Sequence, residues 1–116
     1  MSSYAFPKTE RLLKRADFLK LSRSGKKIQT RFFIAAVLGG TTESNRIGIT
    51  VSKRVGNAVE RNRIKRLVRE YYRNRKEILS GNQDINIIAR KYVKYLPNNK
   101  VIEALDDLFA YLKIQE

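Results

Sequence analysis

The 116-residue chain contains no cysteine, no histidine and no tryptophan, and it has two prolines, one methionine and six glycines. Without cysteine there are no disulfides and no thiol nucleophile. Without histidine there is no imidazole acid–base catalyst, and zinc sites built from Cys or His are excluded as well. Acids are scarce, 11 against 25 Lys and Arg. They are scattered too, which argues against the clustered carboxylates that a protein-only, two-metal nuclease needs. No apolar run is long enough to cross a bilayer. The first residues, Met-Ser-Ser-Tyr-Ala-Phe-Pro, lack the charged and then apolar order of a signal peptide. The expectation is a small soluble intracellular domain.

What is abundant is positive charge, a net +14 with a hydrophobic fraction of 42%. The charge lies in two blocks. Residues 8–31 carry net +7 and residues 53–76 net +8, while residues 32–52 and 81–116 are each neutral. Two basic blocks flanking a neutral, strand-like segment point to a polyanionic partner, above all nucleic acid. A basic membrane-surface binder is the weaker reading, since neither block carries aromatic anchors with an exposed pattern.

Hydrophobic periodicity divides the chain into an α-β-β-α-β-α order, a single α+β domain with a small mixed sheet. Residues 1–13 read as a flexible basic arm, with Pro7 and no apolar stripe. A short helix is expected from Arg15 to Ser22, ended by Gly25. Phe32–Leu38 reads as one strand and Arg46–Lys53 as a second, alternating Ile47, Ile49 and Val51 against Gly48, Thr50 and Ser52. The two should pair antiparallel across the polar loop 41–45. From Gly56 to about Leu79 comes a long helix. Asn57 and Glu60 form a capping box, and Ile64, Leu67, Val68, Tyr71 and Tyr72 make the buried stripe. Gly81 closes it. Asp84–Arg90 is a third strand, parallel or nearly so to the second, and Val101, Leu105, Leu108 and Leu112 line a last helix.

The long helix presents Asn62, Arg66, Arg69 and Arg73 opposite its buried stripe, flanked by Arg63, Lys65 and Lys76, with Arg61 nearer the buried edge. A helix that served only solubility would interleave acids. Here Glu60 and Glu70 are the only two between residues 53 and 76. Guanidinium forks suit phosphates, and the turn Ser52–Asn57 ahead of the helix adds backbone donors for anions.

Arg46-x-Gly48, then Ser52-Lys53-Arg54-x-Gly56-x-Ala58-Val59-x-Arg61-Asn62-Arg63-x-Lys65-Arg66-x-x-Arg69-Glu70, resembles the signature of the bacterial ribonuclease P protein family, with Arg61-Asn62-Arg63 as its hallmark. The resemblance is densest over residues 46–73 and continues more loosely through Asp17-Phe18, Gly25, Asp84 and Ala89-Arg90. It implies a left-handed crossover around the basic helix, a fold like the second domain of a small-subunit ribosomal protein. It also implies half of an enzyme: a catalytic RNA removes the 5′ leader of precursor tRNA with Mg2+, and the protein assists without catalytic side chains or a metal of its own. Lys53, Arg54, Asn57, Arg61, Asn62, Arg63, Lys65, Arg66, Arg69 and Arg73 would then face the catalytic RNA. Phe18, Phe33, Arg46 and Arg90 would line a cleft for the single-stranded leader. A cytoplasmic, bacterial setting with no membrane and no obligate protein partner is implied too. Two positions depart from the family pattern, Ser22 and Ala36, where relatives often carry aromatics.

Each of these residues also has a plainer reading. Phe18 and Phe33 suit a core as well as a stacking platform, and Asn62 alone would be a solvated polar residue. Gly48 inside a strand suits a mere weak point as well as a close approach of backbone or ligand. Asp84 suits a strand start or turn cap, and Asp106 and Asp107 suit a solvated helix face. A ribosomal or other structural-RNA-binding protein fits the composition equally well, and a protein-only metal-dependent nuclease fits it less well.

Overall fold

The computed structural model describes residues 8–40, 44–79 and 81–114. Its elements are α1 (Arg15–Ser24), β1 (Lys26–Gln29), β2 (Phe33–Gly39), β3 (Arg46–Thr50), α2 (Ala58–Asn74), β4 (Gln83–Ala89) and α3 (Asn98–Ile114), with short 3-10 turns at Lys8–Glu10, Lys76–Ile78 and Lys91–Tyr95. This is the expected small α+β domain, with one more strand than the periodicity announced. The additional strand is β1, Lys-Lys-Ile-Gln, whose single apolar residue gives no alternation to detect.

The sheet order is β1-β2-β4-β3. β1 pairs antiparallel with β2, β2 antiparallel with β4, and β3 parallel with β4. The parallel neighbours flanking the long helix are as expected. The pairing of β2 with β3 is corrected: β4 lies between them. The physical reason is burial. β4, Gln-Asp-Ile-Asn-Ile-Ile-Ala, has five of its seven residues buried and needs a partner on each side.

The strands alternate cleanly between two faces. Phe33, Ala35, Val37, Ile47, Ile85, Ile87 and Ala89 join the buried stripes of α2 and α3 in the main core. The α2 stripe is the expected set, Ile64, Leu67, Val68, Tyr71 and Tyr72, all buried. Each fully buried Ile or Leu contributes roughly 1.5–3 kcal/mol, so this face holds the domain together. The opposite face is covered only in part, by α1, through a smaller cluster of Leu12, Leu21 and Ala36 with Phe18 and Leu38.

Asn57 caps α2: its side chain accepts from the Glu60 N–H, and the Glu60 carboxylate accepts from the Asn57 N–H, both at 2.9 Å. The helix stops at Asn74, earlier than expected, and the 3-10 turn at Lys76–Ile78 carries the chain to buried Leu79. Gly81 follows with φ +92°, a conformation that favours glycine. α1 ends at Gly25, in extended rather than left-handed geometry. A Cβ there would lie 2.5 Å from the Leu21 carbonyl oxygen. The expectation of a flexible arm through residue 13 is corrected for its second half. The Leu12 N–H donates to the Ile47 carbonyl at 3.0 Å, and the Leu12 side chain is buried against the sheet. Residues 1–7 of that arm and 41–43 of the polar loop lie outside the described residues.

Candidate RNA interface

Phe18 projects from α1 onto the half-covered face of the sheet. Its ring seats on Gly48: a Cβ at that glycine would stand 2.5 Å from Phe18 Cε1 and 2.8 Å from Cζ. The close approach expected of a mid-strand glycine is therefore made by an aromatic ring. Beyond the ring runs a groove lined by Arg15, Leu19 and Ser22 of α1 and by Lys27, Ala36, Thr50, Asn86 and Ile88 of the sheet. Its floor is polar at one point, where Thr50 donates to Asn86 Oδ1 at 3.1 Å and accepts from Asn86 Nδ2 at 3.0 Å. The two departures from the family pattern, Ser22 and Ala36, both line it. Lys27 faces the groove but is committed: its ammonium donates to the Ser22, Gly25 and Leu21 carbonyls at 2.9, 3.3 and 3.4 Å, neutralising the end of α1.

Of the four residues expected in the cleft, the structure seats Phe18 there and separates the others. Phe33 is fully buried on the opposite face, in the main core, so its place in a leader cleft is corrected. The β-strand period of two decides this: Ile34 and Ala36 face α1, and Phe33 does not. Arg46 is held by carboxylates. It donates from Nε to Asp84 Oδ1 at 2.8 Å and from a terminal nitrogen to Oδ2 at 2.7 Å, with Asp17 at 3.5 Å. The Asp84 hydrogen bonds raise its pKa above the ordinary arginine value. Arg46 thereby ties α1 to β3 and β4, and Asp84 is its anchor rather than a turn cap. Arg90 is exposed, and its guanidinium donates to the Thr30 carbonyl at 3.0 Å.

On α2, Asn62, Arg66, Arg69 and Arg73 are exposed together, and Lys53 and Arg54 are exposed in the preceding turn. Lys65 is half-buried. Arg69 reaches the sheet edge, where it shares a depression with Phe18, Gly48 and Arg11. It thus joins the arginine face to the groove. Arg61 is half-buried with its Nε enclosed. Arg63 turns away: it donates from Nε to Asn98 Oδ1 at 2.9 Å and from a terminal nitrogen to the Leu96 carbonyl, fastening α2 to the start of α3. Lys76 pairs with Glu10 at 2.7 Å. Asp106, expected to be merely solvated, accepts from the Tyr71 hydroxyl at 2.6 Å. Burial and this bond together hold Tyr71 far above the usual phenol range.

Sequence reasoning missed the groove's floor. Thr50 and Asn86 are ordinary strand residues until their strands are adjacent, and Arg15, Leu19 and Ile88 carry no motif. Among the described residues no group of three or more carboxylates is drawn together in a way that could hold a metal ion, and no helix is long and apolar enough to cross a membrane.

An exposed arginine face beside a groove with an aromatic wall defines an RNA-binding α+β domain. A family model described as Ribonuclease P matches residues 6–113. The ribonuclease P protein component of Desulforapulum autotrophicum is 71% identical over 109 residues, covering 94% of this chain and 93% of that one. That of Desulfatibacillum aliphaticivorans is 43% identical over 109 residues, covering 94% and 92%. Among solved structures, the Staphylococcus aureus RNase P protein superposes with a TM-score of 0.83 at 32% identity, covering 90% of this chain and 95% of that one. The RNase P protein of Thermotoga maritima gives 0.78 at 34% identity, covering 86% and 94%. The chain belongs to the bacterial ribonuclease P protein family. It is the protein subunit of a ribonucleoprotein endoribonuclease whose other component is RNA.

Proposed function

We propose that the two surfaces divide the work of this subunit. The groove between α1 and the sheet receives the single-stranded 5′ leader of precursor tRNA. The exposed face of α2, with Lys53 and Arg54, docks on the catalytic RNA. The observation that carries this reading is the seat of Phe18 on Gly48, which leaves a half-buried aromatic ring at the wall of a groove on the sheet's open face. Unpaired bases stack on aromatic side chains, whereas a folded RNA is gripped through its phosphates by arginines. Asn62, Arg66, Arg69 and Arg73 supply that grip, and Arg69 sits where the two RNAs would meet. Arg61 and Lys65 lie at the border of the face. Asn57 and Arg63 serve it indirectly, one by starting the helix and the other by bracing it. Arg90 borders the far end of the groove-facing row of β4.

Bond breaking then belongs to the RNA, with magnesium ions bound by RNA phosphates supplying Lewis-acid and water-activating chemistry. Several of the described carboxylates are engaged within the fold, Asp17 and Asp84 with Arg46, Glu60 in the cap and Asp106 with Tyr71. The holoenzyme would act in the cytoplasm and need no further protein.

The test uses the assembled enzyme. Precursor-tRNA cleavage at low magnesium is measured with the RNA alone and after adding the protein, which should restore activity. Phe18→Ala should weaken precursor binding by ~1–3 kcal/mol and leave mature tRNA unaffected. Equal weakening of both tRNAs would remove Phe18 from the leader site.

A further inference from the structure

The 3-10 turn Lys91–Tyr95, Lys-Tyr-Val-Lys-Tyr, lies outside both surfaces described above. Its central Val93 is fully buried, while Tyr92 and Tyr95 on either side are 61% and 71% exposed. In a 3-10 turn residues three apart eclipse one another, so the two rings project side by side. Their centroids are 6.4 Å apart and their planes differ by 27°. The centroid separation is close to two base-stacking intervals of roughly 3.4 Å each. With the two exposed rings turned parallel, a planar base inserted between them would contact both. Lys91 Nζ lies 5.5 Å from the centre of the Tyr92 ring and Lys94 Nζ 5.2 Å from that of Tyr95, so each ring carries its own cation. From Arg90 to Lys100 the chain has four basic residues and no acid.

The turn is also held in place. Its entry is fixed by the Arg90 N–H donating to the Phe32 carbonyl at 2.9 Å, its middle by Val93, and its exit by Arg63, which holds the Leu96 carbonyl. Two bulky rings left in water on a rigid support lose little further freedom on binding. Most of each ring's surface is left to solvent by the protein.

We infer that Tyr92 and Tyr95 form a clamp for one unpaired base of the RNA subunit, with Lys91 and Lys94 placed for the phosphates on either side. The assignment to the RNA subunit follows from Arg63. That residue ties the end of the turn to α2, whose arginine face is the proposed contact with the same RNA, and the inference rests on that reading.

The experiment measures assembly of the full-length protein with the RNA subunit at several salt concentrations. The double substitution Tyr92→Ala with Tyr95→Ala should weaken assembly about five- to 150-fold, the usual range for one stacked base, without changing the salt slope. Tyr92→Phe with Tyr95→Phe keeps the rings and should stay within about twofold of the parent. Lys91→Ala with Lys94→Ala should flatten the salt slope by about one to two units. Arg66→Ala is run alongside. If Arg66→Ala weakens assembly and the double alanine variant does not, the clamp fails while the α2 interface stands. If neither weakens assembly, the α2 reading fails with it. A loss that appears only when precursor tRNA is titrated onto preformed holoenzyme would also overturn the assignment. So would a phenylalanine pair as weak as the alanine pair.

Discussion

Gly48→Ala is the smallest change that tests the groove. The new Cβ would meet the Phe18 ring at 2.5 and 2.8 Å and Leu12 Cδ1 at 3.1 Å. Comfortable carbon contacts begin near 3.5 Å, so the ring must retreat by about 1 Å. It cannot do so freely, because Leu12, Leu21, Ala36 and Leu38 crowd the same small cluster. Overpacking of this kind costs ~1–3 kcal/mol, which for a domain of this size lowers Tm by roughly 4–12 °C. The alternative for the ring is to swing into the groove, which would obstruct the leader. Both routes run through Phe18. In a Phe18→Ala background the same substitution should therefore cost little, and glycine's removal from a strand could even stabilise by ~0.5–1 kcal/mol. The assay is a double-mutant cycle by urea unfolding, with precursor-tRNA binding measured in parallel. A coupling of ~1–3 kcal/mol between positions 18 and 48 is expected. Additive effects within ~0.5 kcal/mol would show that the ring does not rest on the glycine in solution, and the groove as described would fall.

Three other outcomes are expected. Arg66→Ala should weaken RNA-subunit binding by ~1–3 kcal/mol with unchanged Tm, whereas Arg63→Ala should cost ~1–2 kcal/mol of stability, seen by thermal unfolding, because it frees Leu96 and Asn98. Assembly affinity should fall with salt at a log–log slope of roughly −4 to −9, for six to ten neutralised phosphates, and a flat dependence in filter binding would contradict the two basic surfaces. Tyr72 is pushed up to about 12 by burial and then by the Glu10 charge, while in the unfolded chain it ionises near 10. The proton is held more tightly in the folded state, so this contribution is intact below pH 10 and is lost as pH rises from 10 to about 12, by ~1.4 kcal/mol per unit. Tyr72→Phe should flatten that alkaline loss in pH-dependent denaturation.

Local signals were legible where one element contains all of its own evidence. The start of α2 is written in Asn57 and Glu60, and its buried side in five residues at helical spacing. The exposure of Asn62, Arg66, Arg69 and Arg73 follows from the same wheel. What could not be read depends on partners far along the chain. Arg46 looks like a free cation until Asp84, 38 residues on, accepts from its Nε and one terminal nitrogen. Arg63 looks like its neighbours until Asn98, 35 residues on, accepts from it. Phe33 failed for a subtler reason. In Phe32-Phe33-Ile34 every residue is apolar, so alternation does not say which side is inward; only the register with β4 does. β1 carries two lysines and is recognisable only once paired.

The place of β4 has a consequence for synthesis. It is the penultimate element to leave the ribosome, yet it is the strand on which the sheet closes. Ile47 must wait for Ile85 and Ala36 for Asn86, separations of 38 and 50 residues. Until then the β1–β2 hairpin is the one strand pair of the four-stranded sheet that can form, and the apolar side of α2 has neither a completed sheet nor α3 to rest on. Nascent chains therefore carry a strongly cationic, half-solvated helix with no settled support, and topologies that defer their pairings in this way fold slowly. A chain cut anywhere before residue 89 should remain unfolded rather than yield a smaller working piece.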